Sequence, residues 1–208
     1  RGFLHTSGLL DRPQDWLGCE VDPAEWVVRV SLAVDVDPER LSRRTFTSGC
    51  GKGVMFASAP EMEVRSPLPA GFSLPAPRVQ ELANWFRRYS DLHHATGGVH
   101  TVALSVDGGD PELIRDDVGR HNALDKAIGR LFLENRLPRA AMVVLSSRIS
   151  YELVQKSARA RIPVILAISR PTALAVSLAE ALNITLASLG KDGSLMVYCT
   201  PRRLFWPS

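Results

Sequence analysis

Residues 141–168 read AMVVLSSRISYELVQKSARARIPVILAI. Ala141–Leu145 has the length and apolar content of a buried strand. A polar turn follows, Tyr151–Ala160 reads as a helix, and Pro163–Ile168 is a second apolar run of strand length. Strands that are apolar on both faces fit a sheet covered on both sides, and strand–helix alternation builds such sheets.

The same alternation extends in both directions. Towards the C-terminus, Thr172–Leu182 reads as a helix with a Thr near its start and Asn183 at its end. Ile184–Leu189 is then a strand, Lys191-Asp192-Gly193 a hairpin turn and Leu195–Cys199 the returning strand. Towards the N-terminus, Arg120–Arg136 carries Leu124, Ile128, Leu131 and Phe132 on one helical stripe. Thr101–Val106 is a strand, and Val79, Leu82, Ala83 and Phe86 set a helix over Val79–His94. The fold class is therefore α/β, a layered sheet flanked by helices, over residues 78–208. Residues 65–77 are rich in Pro, Gly and Ser and read as a linker. Residues 1–64 are expected to form a smaller, β-containing N-terminal subdomain, with a short helical start and a strand at Glu25–Asp35.

The 208 residues are 45% hydrophobic and 23% charged, so the chain can bury a sizeable core. No apolar run approaches the roughly 18–20 residues that span a bilayer, so no membrane segment is expected. The net charge is +3, which suits an anionic ligand. No basic run is interleaved with aromatics, so nucleic acid is not the expected partner. The three cysteines, Cys19, Cys50 and Cys199, are no disulfide framework and point to a reducing compartment. The chain opens in mid-stride on Arg1-Gly2-Phe3-Leu4, so a segment is expected to precede it.

Ligands of such sheets favour the carboxyl ends of the strands. Those ends carry Asp107-Gly108, Ser146-Ser147-Arg148, Ser169-Arg170-Pro171-Thr172 and Gly190-Lys191. Arg148 can hold a phosphate or pair with a carboxylate. Asp116 and Asp117 are placed to cap the helix that begins Gly119-Arg120-His121-Asn122, whose N-terminus favours an anion. Ser150 is placed to cap the next helix. Cys50 lies in Thr47-Ser48-Gly49-Cys50-Gly51-Lys52-Gly53. The flanking glycines predict an exposed loop, and Lys52 favours the thiolate, the reactive form of cysteine. Cys19 and Cys199 read as structural. The Gly51-Lys52-Gly53 run lacks the earlier Gly and the Ser or Thr of a phosphate-binding Walker loop. The five histidines carry no zinc-site spacing, so no metal is expected.

Asp117-Val118-Gly119-Arg120-His121-Asn122-Ala123 with Asp125-Lys126 resembles the signature of the formate dehydrogenase accessory sulfurtransferases, the FdhD family. So do Gly97-Gly98-Val99-His100, Ser147–Glu152, Pro171–Ala175, and Gly2-Phe3-Leu4 with Ser7-Gly8. The resemblance implies a cytidine-deaminase-like fold without the deaminase zinc site. It implies a cytoplasmic homodimer that takes sulfur from a cysteine desulfurase as a persulfide on a loop cysteine, here Cys50. The sulfur would pass to the molybdenum (or tungsten) bis-guanine-dinucleotide pterin cofactor of formate dehydrogenase, bound here as substrate. The family's cofactor strip maps to Leu189, Gly190, Lys191, Asp192, Gly193 and Ser194, and His121 and Arg148 are expected to bind the cofactor as well. Many members carry CxxC in the loop; here Gly53 stands where a second thiol would be, so the sulfur acceptor must be external. A competing reading is a chaperone for the same cofactor without sulfur chemistry. A third, a nucleotide hydrolase or deaminase, needs a metal.

Overall fold

The computed structural model describes residues 1–37, 45–47, 53–55, 66–89 and 95–207. Six strands form the central sheet: β6 (His100–Val106), β7 (Pro111–Asp117), β8 (Ala140–Leu145), β9 (Val164–Ala167), β10 (Thr185–Leu189) and β11 (Leu195–Cys199). Their order is β11-β10-β9-β8-β6-β7. The central three, β8, β9 and β10, run parallel. The outer neighbours β6, β7 and β11 pair antiparallel.

Strand periodicity divides the buried side chains between two layers. Ala103, Met142, Val144, Val164, Leu166 and Ala187 face one side. They meet Val79, Leu82, Ala83 and Phe86 of helix α2 (Ala76–Tyr89). Val102, Leu104, Val143, Leu145, Ile165 and Leu186 face the other. That side is covered by helices α3 (Arg120–Leu133), α4 (Tyr151–Arg159) and α5 (Ala173–Ala181). The sheet is thus covered on both faces, as its unbroken apolar runs require. The α3 stripe of Leu124, Ile128, Leu131 and Phe132 is buried as its spacing predicts. Thr172 caps α5 by accepting from Ala175 N (3.2 Å). Asn183 takes φ +56° just beyond α5, the left-handed stop expected of it.

The expected helix Val79–His94 begins three residues earlier, at Ala76, and residues 90–94 lie outside the described residues. Strand β7 was not foreseen. Its sequence, PELIRDD, mixes charge with apolar residues because it is the outermost strand of the sheet, and only Leu113 in it is buried. That strand also corrects the capping assignment. Asp116 and Asp117 end β7, the α3 N-cap is Gly119, and no side chain caps it. Ser150 does stand at the α4 N-cap, but its hydroxyl makes no capping bond.

Helix α1 (Gly2–Thr6) packs on α3 and α4. The contact needs glycine on both sides: a Cβ at Gly129 would lie 2.6 Å from Gly2 N, and one at Gly2 would collide with the Asp125 carbonyl. Next comes an antiparallel hairpin, β1 (Trp16–Asp22) with β2 (Val27–Leu32). The strand expected over Glu25–Asp35 is the shorter β2, and its partner β1 was not foreseen. Two further short strands, β3 (Thr45–Thr47) and β4 (Gly53–Met55), also pair antiparallel. The Pro/Gly-rich stretch is tied down where it is described. Leu68 N donates to Leu182 O (2.9 Å), and β5 (Leu74–Pro75) pairs in parallel with β12 (Leu204–Phe205). Arg203 is buried here and donates to the carbonyls of Pro69, Phe72 and Asn183.

Candidate functional site

The chain direction of the sheet gathers the polar loops. Because β6 runs antiparallel to β8, the start of β6 lies beside the end of β8. His100 pairs with Asp117, so the end of β7 joins the same edge. Backbone bonds close the edge: Ser146 N donates to Thr101 O (3.0 Å), Ile168 N to Leu145 O (2.9 Å) and Thr172 N to Ile149 O (3.0 Å). Ser146 Oγ accepts from Thr101 N (2.9 Å), and Thr101 Oγ1 donates to Asp116 Oδ1 (2.5 Å). The loops at Gly97–His100, Ser146–Arg148 and Ser169–Thr172 share this edge, but Asp107-Gly108, expected there too, does not: β6 runs antiparallel to β8, so its carboxyl end lies beside the start of β8 at the opposite edge.

Asp117 shapes the turn into α3. One carboxylate oxygen accepts from Gly119 N (2.8 Å) and Asn122 Nδ2 (3.3 Å), and the other pairs with Lys126 Nζ (2.5 Å). Burial pushes the Asp117 carboxyl up, but Lys126, Gly119 and Asn122 together outweigh it and hold the pKa below the ordinary value.

His121 stands on the first turn of α3. Both ring nitrogens are buried, and neither makes a hydrogen bond. Burial, with the positive charges of Arg120 and Lys156 in reach, pushes its pKa down to about 4; Glu152 and Asp125 oppose the shift. The ring is therefore neutral at physiological pH and keeps both a donor and an acceptor unengaged. Ser150 Oγ, at the start of α4, is buried and unbonded as well. Buried polar groups without partners are uncommon and call for an explanation. Arg148, between the two helix starts, is exposed and forms no ion pair among the described residues.

The predicted strip Leu189–Ser194 lies at the carboxyl end of β10. Leu189 is buried and Lys191 is exposed. Asp192 Oδ1 accepts from Ser194 Oγ (2.7 Å) and Ser194 N (3.0 Å), and these bonds hold its pKa below the ordinary value. Gly190 N donates to Ser194 O (2.7 Å), and Gly193 N to Gly190 O (3.1 Å). Helix α2 holds the turn from outside: Gln80 Nε2 donates to Gly193 O (2.7 Å) and Arg87 to Gly190 O (2.9 Å). These two anchors were missed in the sequence, although residues 80 and 87, seven apart, share one helical stripe. The hairpin is therefore fixed by α2 on one face of the sheet, while His121 belongs to α3 on the other. No hydrogen bond or ion pair joins the two sets among the described residues.

Cys50 lies outside the described residues, as does His93. The flanking strands are described: Thr47 pairs with Gly53, and Cys50 is the third of the five residues that join them. Of the other thiols, both read as structural, Cys199 is buried, with its Sγ 3.4 Å from Ile184 O, and burial pushes its pKa up, whereas Cys19 is exposed on β1. Among the described residues no group of three or more His, Cys, Asp or Glu is placed to hold a metal ion. Among them, too, no helix is long and apolar enough to cross a membrane.

The model of the FdhD/NarQ family matches residues 1–205. The chain belongs to the FdhD/NarQ family. Among its FdhD relatives is a "Sulfur carrier protein FdhD" of Bordetella parapertussis (strain 12822 / ATCC BAA-587 / NCTC 13253). The two are 37% identical over 208 residues, which cover 98% of this chain and 75% of that protein. A protein of the same name from Xanthomonas campestris pv. campestris (strain B100) is 35% identical over 210 residues, 98% of this chain and 74% of its own. The fold is similar to the crystal structure of a putative formate dehydrogenase accessory protein from Desulfotalea psychrophila. That match has a TM-score of 0.74 at 24% identity and covers 98% of this chain and 77% of that one. It supports the α/β fold of the FdhD/NarQ chain independently of the family signature.

Proposed function

We propose that this protein is a sulfur carrier required for formate dehydrogenase activity, with Cys50 as the carrying thiol. The observation that carries the reading is that the family match extends from residue 1 to residue 205 and so spans Cys50, the one thiol set between glycines. The Cys50 thiolate attacks the outer sulfur of a cysteine desulfurase persulfide. A new S–S bond forms on Cys50, the desulfurase S–S bond breaks, and its cysteine leaves as thiolate. The acceptor is the molybdenum or tungsten bis-guanine-dinucleotide pterin, bound as substrate before its insertion into the dehydrogenase. Lys191 on the hairpin and Arg148 at the strand ends are exposed cations suited to the cofactor's phosphates. His121 offers a neutral ring with free bonding capacity on the same sheet edge.

The layer is read as cytidine-deaminase-like without the zinc ligands; the strand order, with the β6–β7 hairpin at one edge and helix-crossed parallel strands beside it, supports this. The chain acts in the cytoplasm as a homodimer. In support of the dimer, Cys19, Val21, Val28 and Val30 share one face of the β1–β2 hairpin, all exposed, with Trp26 at its tip 94% exposed. An apolar face of this kind marks an interaction surface.

Incubation with a cysteine desulfurase and cysteine, followed by intact mass, is expected to add one sulfur atom to the wild type and none to Cys50→Ala. Labelling that survives in Cys50→Ala defeats the assignment. A cofactor chaperone without sulfur chemistry instead predicts that Cys50→Ala still matures an active dehydrogenase while Lys191→Ala does not.

A further inference from the structure

A cavity of about 600 Å3 opens at the end of the sheet opposite the carboxyl edge. Ala140 and Ala141, which begin β8, line it together with Pro163, just before β9, and Asp107, just after β6. Its volume lies within the roughly 300–1,000 Å3 of small-molecule sites. Phe132, Leu137 and Ala141 give it a buried apolar floor.

The charge around this floor is unbalanced. Four arginines line the cavity, Arg139, Arg159, Arg161 and Arg203, against two aspartates, Asp11 and Asp107. Arg139 pairs with Asp107 and Arg159 with Asp11, and both aspartates are exposed. The exposed Arg139–Asp107 pair is weak and exchanges readily for another anion, whereas Arg159 is only 19% exposed. Arg161 is exposed at the turn that leaves α4 and has no carboxylate partner among the described residues. Arg203 is only 1% exposed, and among the described residues its guanidinium donates to backbone carbonyls alone, those of Pro69 (2.6 Å), Asn183 (2.9 Å) and Phe72 (3.2 Å) among them. A buried cation without a counter-ion is costly, and its field reaches further where water is excluded.

We infer that this basal cavity binds a small amphiphilic organic anion, its oxyanion held by Arg161 with Arg139 and its apolar body lying on Phe132 and Leu137. The oxyanion is a carboxylate or a phosphate, since a guanidinium fork recognises both. The cavity lies at the end of the sheet opposite the Leu189–Ser194 hairpin and His121, and its test does not involve Cys50, so it stands or falls independently of the proposed function. The cavity is also lined by Leu68 and Phe72, in the stretch that leads from β4 into α2.

Calorimetric titration of the full chain with octanoate, phenyl phosphate and inorganic phosphate tests this. Saturable one-to-one binding is expected for octanoate or phenyl phosphate, and the arm that binds identifies the head group. Arg161→Ala is expected to weaken that binding roughly tenfold, the effect of losing one charged hydrogen bond. Arg161→Lys should recover part of it, and Arg29→Ala, on β2, should leave it unchanged. Three outcomes overturn the inference: no saturable binding of either organic anion, binding that Arg161→Ala does not weaken, or inorganic phosphate binding as tightly as phenyl phosphate.

Discussion

Lys156 Nζ lies 2.6 and 2.8 Å from the two carboxylate oxygens of Asp125, and both residues are buried beneath α1. Thr6 of α1 completes the cluster, donating to Asp125 Oδ1 (2.7 Å) and accepting from Lys156 Nζ (3.0 Å). Removing one partner strands the other charge in the core, which costs about 3–5 kcal/mol, whereas replacing both by apolar residues is often neutral. Urea denaturation is therefore expected to show a large loss for Asp125→Ala. Asp125→Leu combined with Lys156→Met should lie much closer to wild type. A double variant as unstable as the single one would contradict this account.

The buried His121 makes stability depend on pH. Its folded pKa of about 4 lies below the 6.5 of an unperturbed histidine. Between these values the unfolded chain binds more protons, so stability falls as pH drops from about 6.5 and levels off below about 4. The full shift corresponds to about 3 kcal/mol. Burial sets most of this shift; Arg120 on α3 and Lys156 on α4 add to it, while Glu152 on α4 and Asp125 on α3 oppose it. Unfolding free energy measured across this range should show a shallower acid-side decline for His121→Gln than for wild type.

Gly190 has no room for a side chain. A Cβ there would lie 2.6 Å from Asp192 Oδ1 and 2.7 Å from Ser194 Oγ. Gly190→Ala is expected to disrupt the hairpin and cost about 1–3 kcal/mol. The exposed Lys191→Ala should stay within about 0.5 kcal/mol of wild type. Thermal denaturation of the two variants separates the turn's architecture from any ligand contact made by Lys191.

The two described thiols should differ in reactivity. Alkylation of native protein with a maleimide, mapped by peptide mass, is expected to modify the exposed Cys19 and to spare Cys199 until denaturant is added. Persulfide loading should persist in Cys19→Ala.

The apolar hairpin face predicts self-association. Sedimentation of wild type should give a dimer, and Val21→Glu with Val28→Glu should shift the population to monomer, since charge on that face opposes its burial. A dimer untouched by both changes would place the contact elsewhere.

The sequence by itself determined the α/β layer, because β8, β9 and β10 are short apolar runs with helices between them and their pattern is local. It also determined the hairpin turn and the stop at Asn183, where one residue's backbone preference decides the conformation. Strands β1 (WLGCEVD) and β7 (PELIRDD) escaped it because glycine, proline and charged residues break their apolar pattern, whereas the edge strand β11 (LMVYC) was legible. Only the tertiary structure decided which charges belong together. Asp125 adjoins Lys126 in sequence, yet it pairs with Lys156, while Lys126 pairs with Asp117, because neighbouring positions on a helix point to different sides. The arginines of the basal cavity are likewise spread from residue 139 to residue 203, and only the packing of the sheet ends against the C-terminal segment brings them to one rim.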